Sequence, residues 1–198
     1  SKAAIIVVQE VFGVNEHIKS VVNSFAARGF ATIAPAMFDR AEKNVSLNYT
    51  PTDTEKARSY VPKLKWEETP LDVGAAVSKM RDYGSVGLVG YCWGGTVAWL
   101  AATRNTGVSA AVGYYGGRII DFIDEESTIP VMLHFGDLDA AIPVEVVEKI
   151  KQAKPDAQVY RYAEAEHGFN CDMRSSYHAD SAKLALERTL EFLEKHLM

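Results

Sequence analysis

The stretch Gly90-Tyr91-Cys92-Trp93-Gly94 places a cysteine between two glycines, directly after an apolar run. This spacing matches a nucleophile elbow, a tight strand-to-helix turn that presents its central side chain for attack. The glycines are needed because backbone passes close to such a turn on both sides. The N-terminus of the following helix favours negative charge on the sulfur. The pattern predicts Cys92 as a nucleophile, and a buried, unreactive cysteine at a turn is the alternative.

A cysteine nucleophile needs a base, and histidine is the usual one. Of the five histidines, His167 alone lies in a loop that follows a predicted strand and precedes a glycine. The others are expected at the surface (His17 and His196), in the core of a strand (His134) and at the start of a helix (His178). These placements favour His167 as the base.

An acid that orients the base is expected at the end of another strand. Asp139 comes after the fifth predicted strand and before Pro143, whereas Asp137 is better placed to cap or brace the turn. The order Cys92, Asp139, His167 is the order of nucleophile, acid and histidine in α/β hydrolases. Three independent placements thus point to one catalytic arrangement.

Backbone N–H groups beside the nucleophile can stabilise the negative oxygen of a tetrahedral intermediate. The N–H of Trp93 directly follows Cys92, and the N–H of Val11 lies in the turn after the first predicted strand. These two groups form the predicted oxyanion hole. Glu10 lies in the same turn. Its position alone favours a structural role, either as a solvated acid or as a partner of the dipole of the helix that Asn15 caps.

Apolar, β-branched runs alternate along the chain with segments of helical periodicity. The predicted strands span residues 4–9, 30–34, 85–90, 110–114, 130–135 and 159–162. The predicted helices follow Asn15, span 52–60, 70–82 and 94–103, begin at Pro143, and end the chain around 186–197, while 36–50 is expected to be a loop. This alternation predicts a mainly parallel sheet with helices on both faces, whose ligands bind at the carboxyl ends of the strands.

The composition narrows the classes of partner. The chain has 198 residues, 47% of them hydrophobic, and a net charge of -5, which predicts one domain over residues 1–198. Without a basic patch or a long apolar run, neither nucleic acid nor a membrane is expected as a partner. The two cysteines, Cys92 and Cys171, are too far apart for a CxxC motif, which indicates a reduced, cytoplasmic setting.

Several motifs together resemble the dienelactone hydrolase family, a family of cysteine-dependent α/β hydrolases. The motifs are QEVFGVN (9–15), GLVGYCWGG (87–95), AVGYYG (111–116), GDLDAAIP (136–143), EHGF (166–169) and ERTLEFL (187–193). The resemblance implies an α/β-hydrolase fold, a triad of Cys92, His167 and Asp139, and no metal or organic cofactor. It also implies that Glu10 contacts the resting thiol and helps to deprotonate it when substrate arrives.

The chain departs from the family pattern in ways that bear on substrate and assembly. Cys171 and Thr54 stand where the family has two arginines that hold a substrate carboxylate, so a neutral substrate is expected. Arg58 and Arg174 are nearby substitutes, although surface positions or local salt bridges suit them better. Further candidate substrate contacts are Phe12, Tyr115 and Cys171. The family has strands before the equivalent of Ala4, so an exposed sheet edge and a monomer or homodimer are expected.

These observations predict a hydrolase of a lactone or small carboxylic ester that forms an acyl-enzyme on Cys92. A glutamine-amidotransferase-like enzyme also uses a cysteine elbow, but its His-x-Glu pair is not found in EAEHGF (164–169), which contains His167. A non-enzymatic alternative is a ligand-binding or redox-sensing domain with Cys92 as the sensor.

Overall fold

A computed structural model describes residues 3–198 and contains one six-stranded parallel sheet in the order β2-β1-β3-β4-β5-β6. The strands are β1 Ala4–Val8, β2 Ala31–Ile33, β3 Val86–Tyr91, β4 Ala110–Tyr114, β5 Val131–Gly136 and β6 Gln158–Tyr162. The helices are α1 Glu16–Ala26, α2 Pro51–Tyr60, α3 Thr69–Met80, α4 Trp93–Thr103, α5 Val144–Ala153 and α6 Ala179–Leu197. The predicted α/β fold with a parallel sheet is confirmed.

Helices cover both faces of the sheet, as two glycines of β3 show. A Cβ on Gly87 would lie 2.8 Å from Leu197 of α6, whereas a Cβ on Gly90 would meet the backbone of Gly94 in α4. Side-chain positions three residues apart on a strand point to opposite faces. The central strands β1, β3, β4 and β5 are therefore enclosed, and every residue in them is buried.

The edge strand β2 is less buried than the sequence predicts. The run 30–34 predicts a buried strand, but β2 is only three residues long and half-buried, because it pairs with β1 alone. The predicted loop at 36–50 contains a short 3-10 helix, Met37–Arg40, with Met37 and Phe38 buried. This loop is thus anchored to the core at Met37, Phe38 and Val45, while most of its other residues are exposed.

The histidines outside the predicted triad fall in different environments. The prediction of a core histidine is confirmed for His134, which hydrogen-bonds Tyr162 Oη at 2.8 Å and Thr189 Oγ1 at 3.0 Å. The surface prediction is wrong for His17, which is 3% exposed in the first turn of α1. His196 is half-buried.

Among residues 3–198, no helix combines the length and the apolar character needed to cross a membrane.

Candidate active site

The turn at Cys92 has the geometry that a nucleophile elbow requires. Cys92 has φ 55° and ψ -114°, a left-handed conformation that is strained for a residue with a side chain. A Cβ at Gly90 would lie 1.8 Å from the carbonyl oxygen of Gly94, and one at Gly94 would lie 2.5 Å from the carbonyl oxygen of Val8. Both flanking glycines are therefore required by close backbone approach.

His167 and Asp139 complete a chain of contacts that starts at the cysteine. The Nε2 of His167 lies 3.2 Å from the Sγ of Cys92, and its Nδ1 lies 2.6 Å from Asp139 Oδ2. The other oxygen of Asp139 accepts the backbone N–H groups of Ala141 and Ile142 at 2.8 and 3.2 Å. Asp139 is thus held in position by the turn after β5, and the structure brings together the three residues that the sequence predicts.

The surroundings of His167 favour its protonated form. Burial acts to lower its pKa, but the Cys92 sulfur and then the hydrogen bond to Asp139 outweigh burial and raise the pKa above its ordinary value. An imidazolium is stabilised when a negative group faces each nitrogen. The site can therefore store on His167 the proton that leaves the thiol.

Two backbone N–H groups are available for an oxyanion. Trp93 is the first residue of α4, so its N–H has no acceptor within the helix. The N–H of Val11 donates to no backbone or side-chain acceptor within the described residues 3–198. Val11, Trp93 and Cys92 border the same cavity. This arrangement fits the predicted oxyanion hole.

Glu10 is fully buried, which excludes the interpretation of it as a solvated acid. Its Oε1 accepts the hydroxyl of Tyr49 at 2.6 Å, and its Oε2 lies 3.2 Å from Nη1 of Arg174. Within residues 3–198 the carboxylate makes no hydrogen bond to Cys92, unlike the resting contact that the family resemblance implies. The sulfur faces His167 instead.

A cavity of about 570 Å³ opens over the sulfur. Its apolar wall includes Val11, Phe12, Val61, Pro62, Trp66 and Trp93. Three arginines also border it, and two of them are paired: Arg174 with Glu10, and Arg118 with Asp121. Arg58 makes no ion pair with any residue that the structure describes. The cavity therefore combines an apolar pocket with one exposed, unpaired cation.

Two of the predicted substrate contacts lie outside the cavity over Cys92. Phe12, Arg58 and Arg174 border the cavity, but Tyr115 and Cys171 do not, and both of these are 0% exposed. The ring of Tyr115 packs against His167, with centroids 5.0 Å apart, so it lies behind the catalytic face. Cys171 is buried beside Glu10, and burial and then the Glu10 charge raise the pKa of its thiol to about 11.

Other residues of the site were not identified from the sequence. Trp66 stacks on Trp93 with centroids 5.5 Å apart, and Phe38 packs edge-on against Trp93 at 5.0 Å. Tyr49 binds Glu10 from the segment predicted to be a loop. His17 lies near Glu10 and Cys171, and the three together form a group of potential metal ligands. A tryptophan in a polar connection is the one signal that could have marked Trp66.

Known proteins match the chain over nearly its whole length. The sequence model of the dienelactone hydrolase family matches residues 1–197. A carboxymethylenebutenolidase from Pseudomonas putida is 34% identical over 203 residues, covering 96% of this chain and 84% of that protein. A crystal structure of a proposed dienelactone hydrolase from Klebsiella pneumoniae subsp. pneumoniae has a TM-score of 0.80 at 32% identity, covering 96% of this chain and 86% of that one.

A dienelactone hydrolase-like promiscuous phosphotriesterase from metagenomic libraries shares the fold, with a TM-score of 0.76 at 19% identity over 99% of this chain and 87% of that one. The parallel sheet and these likenesses define an α/β hydrolase. The chain belongs to the dienelactone hydrolase family, because the family model covers almost all of it and the Pseudomonas relative exceeds 30% identity. The prediction that it is a hydrolase of this family is thus confirmed.

Proposed function

We propose that the protein hydrolyses a lactone or small carboxylic ester through an acyl-enzyme on Cys92. The observation that carries the proposal is the continuous contact from Cys92 Sγ through His167 to Asp139, with distances of 3.2 and 2.6 Å. Nucleophile, base and orienting acid within hydrogen-bond reach are the requirement for this chemistry. The carboxymethylenebutenolidase name of the Pseudomonas relative supports the same class of substrate.

In the first half of the reaction, the thiol proton passes to His167 Nε2 and the sulfur attacks the substrate carbonyl carbon. The N–H groups of Val11 and Trp93 donate to the carbonyl oxygen as it becomes negative. Collapse of this intermediate breaks the carbon–oxygen bond, and His167 gives its proton to the departing alkoxide. The product of this half is a thioester on Cys92. When the substrate is a lactone, the acyl group still carries the hydroxyl that ring opening produces.

In the second half, His167 takes a proton from water, and the hydroxide attacks the thioester carbon. The sulfur leaves and recovers the proton from His167, which releases the acid product. Asp139 holds the imidazole orientation throughout and supports its positive charge. The chain's own residues thus supply every proton transfer.

The direct test is turnover of p-nitrophenyl acetate and of a simple lactone by the wild-type protein and by Cys92→Ala. We expect the variant to lose activity by roughly 10³-fold or more, since no other group can form the thioester. Mass spectrometry of the wild type quenched during turnover should show an acetyl group on Cys92. Turnover that survives in Cys92→Ala would overturn the proposal, and alkylation of Cys92 without turnover would favour the redox-sensing alternative.

We also propose a preference for neutral substrates. Arg174 is already paired with Glu10, and the exposed Arg58 is a single, solvent-screened cation, so a substrate carboxylate gains about 0–1 kcal/mol from it. A panel of matched lactones with and without a carboxylate tests this. A strong preference for the carboxylate-bearing lactones that disappears in Arg58→Gln would contradict it.

The same proposal includes three further properties: one domain over residues 1–198, a monomeric or homodimeric state, and a cytoplasmic location. They agree with the composition of the chain and with a substrate that is a small molecule. Light scattering of the purified protein tests the oligomeric state.

A further inference from the structure

Three side chains with metal-binding atoms meet beside the proposed active site. One carboxylate oxygen of Glu10, one ring nitrogen of His17 and the sulfur of Cys171 all lie within 4.8 Å of one another. All three residues are buried, with 0%, 3% and 0% of their surface exposed. They come from the end of β1, the first turn of α1 and the segment before α6, so the fold and not a local motif brings them together.

The contacts of these groups are incomplete in a way that points to a ligand. The Nε2 of His17 is buried and has no hydrogen-bond partner among the residues that the structure describes. A buried polar atom without a partner costs about 1–3 kcal/mol, so such atoms are rare unless something binds them. The Nδ1 of the same ring lies 3.9 Å from a carboxylate oxygen of Asp172. A carboxylate that hydrogen-bonds the second ring nitrogen is the usual partner of a metal-binding imidazole, and Asp172 needs to approach by about 1 Å to form that bond.

The histidine of this group also borders a cavity other than the proposed substrate cavity. A second cavity of about 320 Å³ is bordered by His17, Tyr91, Asp172 and Tyr177. Of the three side chains only His17 borders this cavity, and its Nε2 is buried, so an ion that enters from the side of α1 requires the His17 ring to move.

We propose that Glu10, His17 and Cys171 form a binding site for a thiophilic divalent cation such as Zn²⁺. Nitrogen, sulfur and carboxylate oxygen are the three ligand types that Zn²⁺ uses in proteins, whereas Mg²⁺ and Ca²⁺ require oxygen. Tetrahedral Zn²⁺, with bonds of about 2.0–2.3 Å, holds its ligands roughly 3.3–3.8 Å apart. The three side chains thus need to close by about 1 Å, and a water molecule can supply the fourth ligand.

The charges around the site balance when the ion binds. Binding breaks the S–H bond of Cys171, whose proton goes to solvent, and forms a metal–sulfur bond. The thiolate and Glu10 together offset the two positive charges of the ion, and His17 binds as a neutral ligand. Arg174, which pairs with Glu10 at 3.2 Å, opposes the cation, so the thiolate is required for tight binding.

The two cysteines of the chain allow a test that is independent of the proposed hydrolase activity. In a tag-free Cys92→Ala protein, Cys171 is the one remaining thiol. We expect this protein to bind one equivalent of Zn²⁺ in competition with a chromophoric chelator. With Co²⁺ it should show the near-ultraviolet charge-transfer band of a thiolate–cobalt bond, which can come from Cys171 alone.

Adding Cys171→Ser should abolish the band and weaken Zn²⁺ binding by at least ~10-fold, and His17→Gln should weaken binding similarly. His196→Gln, a half-buried histidine on the last helix, is the matched control and should bind as the parent does. Circular dichroism checks that each variant is folded. If His17→Gln is not folded, the nearly isosteric Cys171→Ser decides alone. A parent without bound metal, a cobalt complex without the band, or unchanged affinity in Cys171→Ser would overturn the site.

Discussion

Asp137 and Asp139 are two carboxylates in one turn, and their partners separate their roles. Asp139 is 4% exposed and faces His167, whereas Asp137 pairs with Arg161 at 2.8 Å on the surface of β6. Sequence proximity makes the two candidates similar, but the contacts make only one of them able to orient the base.

We expect Asp139→Asn to lower kcat of ester hydrolysis by roughly 10³-fold, because an amide neither fixes the imidazole tautomer nor supports its positive charge. Asp137→Asn is the matched control and should stay within about twofold of wild type, since surface pairs contribute little. Steady-state kinetics with p-nitrophenyl acetate measures both. Equal losses in the two variants would show that the turn as a whole, not the Asp139 carboxylate, supports activity.

The negative charge of the buried Glu10 is paired with the positive charge of Arg174, which borders the same cavity as Cys92. Replacing Glu10 by Gln removes the negative charge and leaves Arg174 unpaired, which favours the thiolate. We expect Glu10→Gln to raise the alkylation rate of Cys92 by iodoacetamide roughly tenfold at neutral pH, because a thiolate reacts faster than a thiol. Glu164→Gln, whose side chain is 82% exposed, controls for a general loss of negative charge. An unchanged rate in Glu10→Gln would mean that Glu10 does not influence the thiol.

At this scale the sequence predicts the residues that follow strands and misses those that reach the site through tertiary packing. Cys92, Asp139 and His167 each have a position relative to a strand that a single sequence displays. Tyr49 and His17 have none, because their contacts with Glu10 depend on how a loop and a helix pack over the end of β1. Local patterns carry no information about such contacts.

The elbow between β3 and α4 is the element on which the proposed chemistry depends. Gly90 faces the backbone of Gly94 so closely that a methyl group cannot be accommodated without moving α4. We expect Gly90→Ala to lower the free energy of unfolding by about 3 kcal/mol or more and to reduce activity in the fraction that folds. Urea unfolding monitored by circular dichroism provides the measurement.

Gly74 in α3 is the matched control, because a Cβ there would meet only the carbonyl oxygen of Thr106 at 3.8 Å. Gly74→Ala should raise the free energy of unfolding by about 0.5–1 kcal/mol, since alanine favours the helix. A destabilisation of Gly90→Ala no larger than about 1 kcal/mol would show that the turn tolerates a side chain.

The types of the elements were predictable where burial determines the spacing of apolar residues along the chain. The apolar runs of the central strands and the periodicity of α1 predict their elements to within one or two residues. Burial of the edge strand β2 was not predictable, because its apolar run does not reveal how many neighbours it pairs with. Likewise, the segment 36–50 lacks periodicity, because its few buried side chains are not regularly spaced.

Across the whole molecule, acid stability should depend on His134 in the centre of the sheet. Burial, and then the charge of Arg188, lower the pKa of His134 to about 3, while the unfolded chain keeps the ordinary value of 6.5. The folded form therefore binds this proton less readily. The folded state is therefore favoured fully only where His134 is neutral in both states, above pH 6.5. As the pH falls from 6.5 towards 3, the free energy of unfolding decreases by up to about 1.4 kcal/mol per pH unit.

Urea unfolding at pH 6.5 and pH 5.0 tests this for wild type and His134→Gln. Glutamine can still hydrogen-bond Tyr162 and Thr189 but does not titrate. The wild type should lose about 1.5 kcal/mol more than the variant over this interval. The other titrating groups, including the buried His17, contribute equally to both proteins and cancel in the difference. Equal losses in the two proteins would contradict the assignment of this pH dependence to His134.

The carboxylate of Glu10 also links two loop segments that are far apart in the chain. It accepts a hydrogen bond from Tyr49 of one segment and from Arg174 of the other. Arg174 borders the cavity over Cys92, and Tyr49 borders a neighbouring cavity that reaches His167. We expect the backbone fluctuations of the two segments to be correlated, because opening either one removes a partner from the same buried charge. Deuterium uptake at the amides around 46–50 and 172–176 should rise together in Glu10→Ala, whereas uptake in β6 should stay as in the wild type.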